Sequence, residues 1–248
     1  MSISPTELIN PPIIESIVEI KFDSSLPNEA VFGVFYNLLK DEYRNIEQLN
    51  TANLPKEVIV DQPSLQFAPH YSLTSQDKPL HVLIGPKVIT FKYQKYSNIE
   101  VIYPGWTKYI YNEIIKVLKF ITASGYITKV IRVGLRSIDF FEDNIFENLR
   151  LKIEMVSRNL DNLPKSFRFT LDDENFNNTI AISSNSSLMK NNISTEGSTI
   201  DIDTSREDNV STNIQDYLES IIQDGHNVNK ELFFELLTED YISQLESQ

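Results

Sequence analysis

A chain of 248 residues with 41% hydrophobic and 23% charged residues is long and apolar enough to bury a proper core. It contains no cysteine, which excludes disulfide frameworks, thiolate zinc sites and cysteine nucleophiles. The net charge of −13 is unevenly spread: Met1 to Ile138 holds 14 Lys/Arg against 13 Asp/Glu, and Asp139 to Gln248 holds 8 against 22.

Met1 to Leu8 lacks the basic and apolar regions of a signal peptide, and no apolar run approaches the roughly 20 residues that span a bilayer. A cytoplasmic protein with no membrane contact is the expectation. The triplets beginning at Asn177, Asn185, Asn192 and Asn209 fit glycosylation acceptors in form but carry no meaning without secretion. Ile14 to Phe22 alternates, with Ile14, Ser16, Val18, Ile20 and Phe22 on one face and Glu15, Ile17, Glu19 and Lys21 on the other, predicting a half-buried strand. Ser25 to Pro27 opens a predicted helix whose stripe Ala30, Val31, Val34, Phe35, Leu38 and Leu39 runs to about Tyr43. Strands are predicted near 64–73, 80–84 and 88–96, the last two joined by a turn at Gly85-Pro86-Lys87. A second helix follows on Trp106, Tyr109, Ile110, Ile114, Val117, Leu118 and Ile121, stopped by Ser124-Gly125.

The second half opens with a long strand over 127–141, with Ile127, Ile131, Val133 and Leu135 on one face, followed by a helical piece over 145–149. Further strands are predicted near 151–156, 167–171, 179–183 and 199–203, and the Asn/Ser-rich run from Ser184 to Gly197 predicts a flexible loop. Helices over 214–222 and 228–245 close the chain, separated by Asp224-Gly225-His226-Asn227, with Thr238 placed to cap a restart. The expected fold class is α+β: a mostly antiparallel sheet flanked by helices in one domain over 1–248. Two related halves, 1–125 and 126–248, would each repeat a strand, helix, strands, helix order, as in an internal duplication.

Three segments resemble a known family. Asn10-Pro11-Pro12-Ile13-Ile14-Glu15 is similar to the Asn-Pro-Pro-hydrophobic-x-Glu strand that opens a sporadically distributed, functionally uncharacterised family of bacterial proteins of about this length. Gly134-Leu135-Arg136-Ser137-Ile138-Asp139 resembles that family's central Gly-Leu-Arg-Tyr-Ile-Asn strand, with Ser137 and Asp139 departing from it. His226 through Phe233-Phe234-Glu235-Leu236-Leu237-Thr238 resembles its C-terminal helix. The resemblance implies a bacterial type of protein and one cooperative unit. It supplies no catalytic residue.

Signatures of chemistry are sparse. His70 and His81, with Asp77 between them, match no metal-ligand spacing, and Asp201-Ile202-Asp203 and Asp172-Asp173-Glu174 fit solvated acidic edges or turns. No nucleophile elbow, Walker loop or dinucleotide fingerprint occurs. No catalytic, metal or cofactor site is therefore expected. A basic, aromatic stretch offers Lys92, Lys95, Lys108, Lys116 and Lys119 with Tyr93 and Tyr96, the residue types that hold nucleic acid by stacking and phosphate contact. The competing reading is a strand and a helix that bury their aromatics and wet their lysines, and the charge of −13 opposes nucleic acid at long range.

Glu15 and Glu19 share a four-residue spacing with Arg132 and Arg136, so antiparallel strands would set Glu15 against Arg136 and Glu19 against Arg132. The alternative for the two arginines is a cradle for an anionic ligand. The leading expectation is a non-enzymatic interaction or regulatory protein that meets a protein partner or itself. Nucleic-acid or nucleotide binding through 87–136 stands second, and a hydrolase with an unrecognised site third.

Overall fold

The computed structural model describes residues 8–95, 102–151, 165–173, 175–190 and 193–247. In chain order come β1 (Ile13–Ser24), α1 (Asn28–Leu39), β2 (Asn45–Gln48), α2 (Lys56–Asp61), β3 (Tyr71–Ser75), β4 (Lys78–Gly85) and β5 (Val88–Gln94). A π-helical turn, Trp106–Ile110, leads into α3 (Tyr111–Ala123). β6 (Ile127–Phe141), β7 (Ser166–Asp172), β8 (Asn177–Lys190), β9 (Ile193–Val210), α4 (Ile214–Leu236) and α5 (Glu239–Ser247) complete the described elements.

The strands form one sheet in the order β2-β3-β4-β5-β1-β6-β9-β8-β7, and every pairing is antiparallel. Alternation gives β1 and its neighbours an apolar side. Val18, Ile20 and Phe22 of β1, Val82 and Ile84 of β4, Phe91 and Tyr93 of β5, and Val133 and Leu135 of β6 are all buried with α1, α3 and α4 in one cluster. A second cluster joins Ile180 and Ile182 of β8 and Ile200 and Ile202 of β9 to Phe233 and Phe234 of α4, Leu237 just after it, and Tyr241 and Leu245 of α5.

These observations correct the expected fold class. The described residues form one nine-stranded antiparallel sheet whose apolar side is backed by α1, α3, α4 and α5, and the other side of its centre carries the paired charges described below. The chain does not divide into duplicated halves. The predicted helix over 145–149 is a three-residue 3₁₀ turn, Ile145–Glu147, and among the described residues it has no counterpart in length to α1. The two would-be halves share one continuous sheet through the β1–β6 pairing.

Local expectations shift for identifiable reasons. Residues predicted as strand at 64–67 are a 3₁₀ turn, Pro63–Phe67, because Pro63 starts it with its fixed φ. The polar run Ser184–Gly197, apart from 191–192 outside the described residues, is drawn into the β8–β9 ladder, where Ser186↔Gly197 and Leu188↔Thr195 pair. Helix α4 runs straight through Gly225. A Cβ there would lie 2.6 Å from Leu135 Cδ1, so the glycine lets α4 lie close against β6. The break comes later, at Leu237-Thr238, where Ile242 N–H bonds to the Thr238 carbonyl at 3.0 Å. The strand predicted near 151–156 lies outside the described residues beyond Leu151.

Candidate functional site

Of the two predicted charge pairs, one forms on the open side of the sheet. Arg132 donates to Glu19 at 2.9 Å and also lies 3.5 Å from Asp203. Arg136 does not face Glu15. The register sets Glu15 opposite Ile138, and Arg136 reaches across to β9, making two hydrogen bonds to Asp201 at 2.8 and 2.6 Å. Glu15 turns to its other neighbour and pairs with Lys92 of β5. Both arginines are thus committed to carboxylates, which removes the basis for an anion cradle between them. The Glu19–Arg132 pair is part-exposed, so a double-mutant cycle with Glu19→Gln and Arg132→Gln should return a coupling of about 0.3–1 kcal/mol in urea melts. A coupling of zero would mean that Asp203 takes over the arginine.

The basic residues are spread out. Lys116 pairs with Glu42 at 2.7 Å, Lys119 with Glu219 at 3.4 Å, and Lys78 with both Glu42 and Glu113. Lys95 donates its backbone N–H to Ile14 at 2.8 Å, and Lys108 lies in the π-helical turn. Tyr93 is fully buried with its ring edge-on to Tyr103 at 5.2 Å, so it offers no stacking platform. Tyr96 lies outside the described residues. His81 sits opposite Lys92 in the sheet, and burial together with that lysine lowers its pKa.

A cavity of about 840 Å³ lies elsewhere, between the β1–β6 centre of the sheet and the helices. Its floor is set by alternation. Along β6 the inward positions run Val133, Leu135, Ser137, Asp139 and Phe141, and Ser16 of β1 pairs with Ser137. Two polar residues therefore interrupt an apolar face where β6 passes under α4. Asp139 is only 5% exposed. Among the described residues no hydrogen bond or ion pair reaches its carboxyl, and it borders the cavity. Burial, with help from the charge of Asp201, pushes its pKa up to about 8.

Helix α4 supplies one wall. Its Asn229 side chain accepts from the Ser137 hydroxyl at 2.7 Å and donates to the Ile202 carbonyl at 3.0 Å. One turn earlier, His226 stacks on Trp106 with ring centroids 4.1 Å apart and planes 8° from parallel. Burial and Lys230 hold that histidine down to about 4, so it is neutral at ordinary pH. The opposite wall begins at Gly105, whose φ of 83° turns the chain into the π-helical turn. That turn widens the helix start and carries Trp106 inward, where its Nε1–H reaches Gln223 Oε1 at 3.4 Å. Leu8, Pro11 and Pro12 border the cavity from the N-terminal side.

None of these floor residues was among the sequence candidates. The available signal was Ser137 and Asp139 at inward positions of a strand otherwise apolar on that face, and it becomes readable only once the register is known. Compared with family models and with curated proteins, the chain matches none.

Proposed function

We propose that this protein binds a small molecule in the cavity and acts through that binding, as a non-enzymatic interaction or regulatory protein. The observation that carries the reading is the Asp139 carboxyl, buried with no hydrogen bond or ion pair among the described residues, on the floor of a cavity large enough for a drug-sized ligand. An enclosed carboxyl is expensive to leave unpaired, and a ligand is what would pair it. The three segments that resemble the bacterial family also meet here: Pro11, Pro12 and Ile13 from the first, Ser137 and Asp139 from the second, His226, Phe233 and Phe234 from the third. A hydrolase is less well supported, because the Ser137 hydroxyl donates to Asn229 and His226 is held against Trp106, so no nucleophile–base contact forms. Nucleic-acid binding is weakened by the carboxylates that already pair Lys92, Lys116 and Lys119.

Trp106 is the sole tryptophan, so its emission reports on the cavity wall. Titration with fractionated bacterial metabolite pools is expected to change that emission saturably for at least one pool. A Ser137→Phe variant, shown by circular dichroism to be folded, fills the floor and should lose the response. Silence from every pool, or an equal response in the variant, would overturn the reading.

A further inference from the structure

Resting on the reading of the cavity as a ligand site, we propose that its ligand is an organic cation. An amidinium or ammonium group would seat against the Asp139 carboxylate, with an apolar body along Trp106, Leu135 and Phe233. A carboxylate is an acceptor only, and a planar amidinium satisfies both of its oxygens at once. Among the described residues, the neighbouring groups that could neutralise Asp139 are engaged elsewhere. Arg136, three residues earlier on β6, is held by Asp201 of β9 through two hydrogen bonds. His226 of α4 is neutral, with its ring stacked on Trp106. Ser137 and Asn229, the polar groups beside it, bond to each other. Lys230 of α4 and Lys108 of the π-helical turn border the cavity as well, each with a contact of its own. The charge of −13 on the whole chain draws cations toward the surface before they enter.

The competing ligand chemistry is a neutral carbonyl compound that accepts a hydrogen bond from the protonated Asp139. The two differ in sign with pH. In the empty protein Asp139 keeps its proton up to about pH 8. A cation must displace that proton, so its affinity rises by up to about tenfold per pH unit toward that value and then levels. A carbonyl ligand uses the proton, so its affinity is flat and then falls above it.

The test uses the full-length chain with three probes of one shape: benzamidine, benzamide and benzoate, each titrated to millimolar concentration and read by Trp106 emission and by thermal shift. Benzamidine is expected to bind, to bind more tightly at pH 8 than at pH 6, and to lose at least tenfold in affinity in Asp139→Asn. Benzoate is expected not to bind. Stronger binding of benzamide or benzoate than of benzamidine, or benzamidine binding indifferent to Asp139→Asn, would overturn the cation assignment. If that binding is still lost in Ser137→Phe, the cavity stands as a ligand site with a different ligand. If no probe binds, the cation assignment falls, and if the metabolite pools are silent too, the cavity reading falls with it.

Discussion

Ending the chain after Asp224 is expected to leave a protein that does not fold. The removed segment contains Phe233, Phe234, Leu237, Tyr241 and Leu245, all buried, and together they cover Ile180, Ile182, Ile200 and Ile202 of β8 and β9. Truncating one large buried side chain typically costs about 2–5 kcal/mol, against a whole stability of about 5–15 kcal/mol for a domain. Five such losses, about 10–25 kcal/mol together, match or exceed that margin. The cut also removes Asn229, whose amide ties α4 to Ile202 and Thr204 of β9. It further deletes the Thr238 N–H bond to the Asn148 carbonyl and the Arg150 N–H bond to the Leu236 carbonyl, which fasten the chain after β6. Expression of the truncated chain should give insoluble material, or soluble material without a cooperative thermal transition by circular dichroism. A soluble product with an unchanged melting temperature would show that α5 and the end of α4 are a detachable arm. The single change Phe233→Ala gives a graded check, with an expected loss of about 3 kcal/mol.

What the sequence makes legible is what period alone determines. The alternation of β1 is kept from Glu15 to Phe22, with Ser16, Val18, Ile20 and Phe22 buried and Glu15, Ile17, Glu19 and Lys21 only partly so, while Ile14, expected on the buried face, is only partly buried. The period fails where an irregularity resets it. On β6 a register shift between Val130 and Arg132 turns Val130 inward, where strict alternation had placed Ile131. Propensity fails where tertiary pairing outweighs it: the serines and asparagines of β8 and β9 are poor strand formers held by a partner strand. Gly225 is a helix breaker by propensity and a close-packing residue in fact. Of the two ion pairs legible as a four-residue match, Glu19–Arg132 forms and Glu15–Arg136 does not, because each charge has two neighbouring strands to choose from. The cavity was the least legible, since Pro12, Trp106, Asp139 and His226 are distant in sequence and meet only after the sheet and helices assemble.

Asp139→Asn is expected to make the empty protein more stable while removing its ability to hold a cation. In an unfolded chain this carboxyl ionises near pH 3.8, and in the fold it keeps its proton to about 8. Between those values the folded state binds the extra proton, so stability falls as pH rises and is flat above about 8. His226 acts in the opposite direction: its folded pKa of about 4 lies below its unfolded 6.5, so between those values the unfolded state binds the proton and stability rises with pH. The two slopes nearly cancel up to pH 6.5, and from there to about 8 Asp139 acts alone at roughly 1.4 kcal/mol per pH unit. Asparagine keeps the shape and discards the charge. At pH 8 the variant should gain on the order of 1–4 kcal/mol, the lower end reflecting an amide that is itself buried with few partners. At about 2–4 °C per kcal/mol for a chain of this size, the melting temperature should rise by several degrees. Urea melts of both proteins at pH 6.5 and pH 8 decide the matter, with the wild type losing stability over that interval and the variant not. Parallel behaviour would mean that Asp139 already has a partner in the empty protein. Benzamidine should then raise the melting temperature of the wild type at pH 8, because binding restores to the carboxylate the partner that folding withholds, and should leave the variant unmoved.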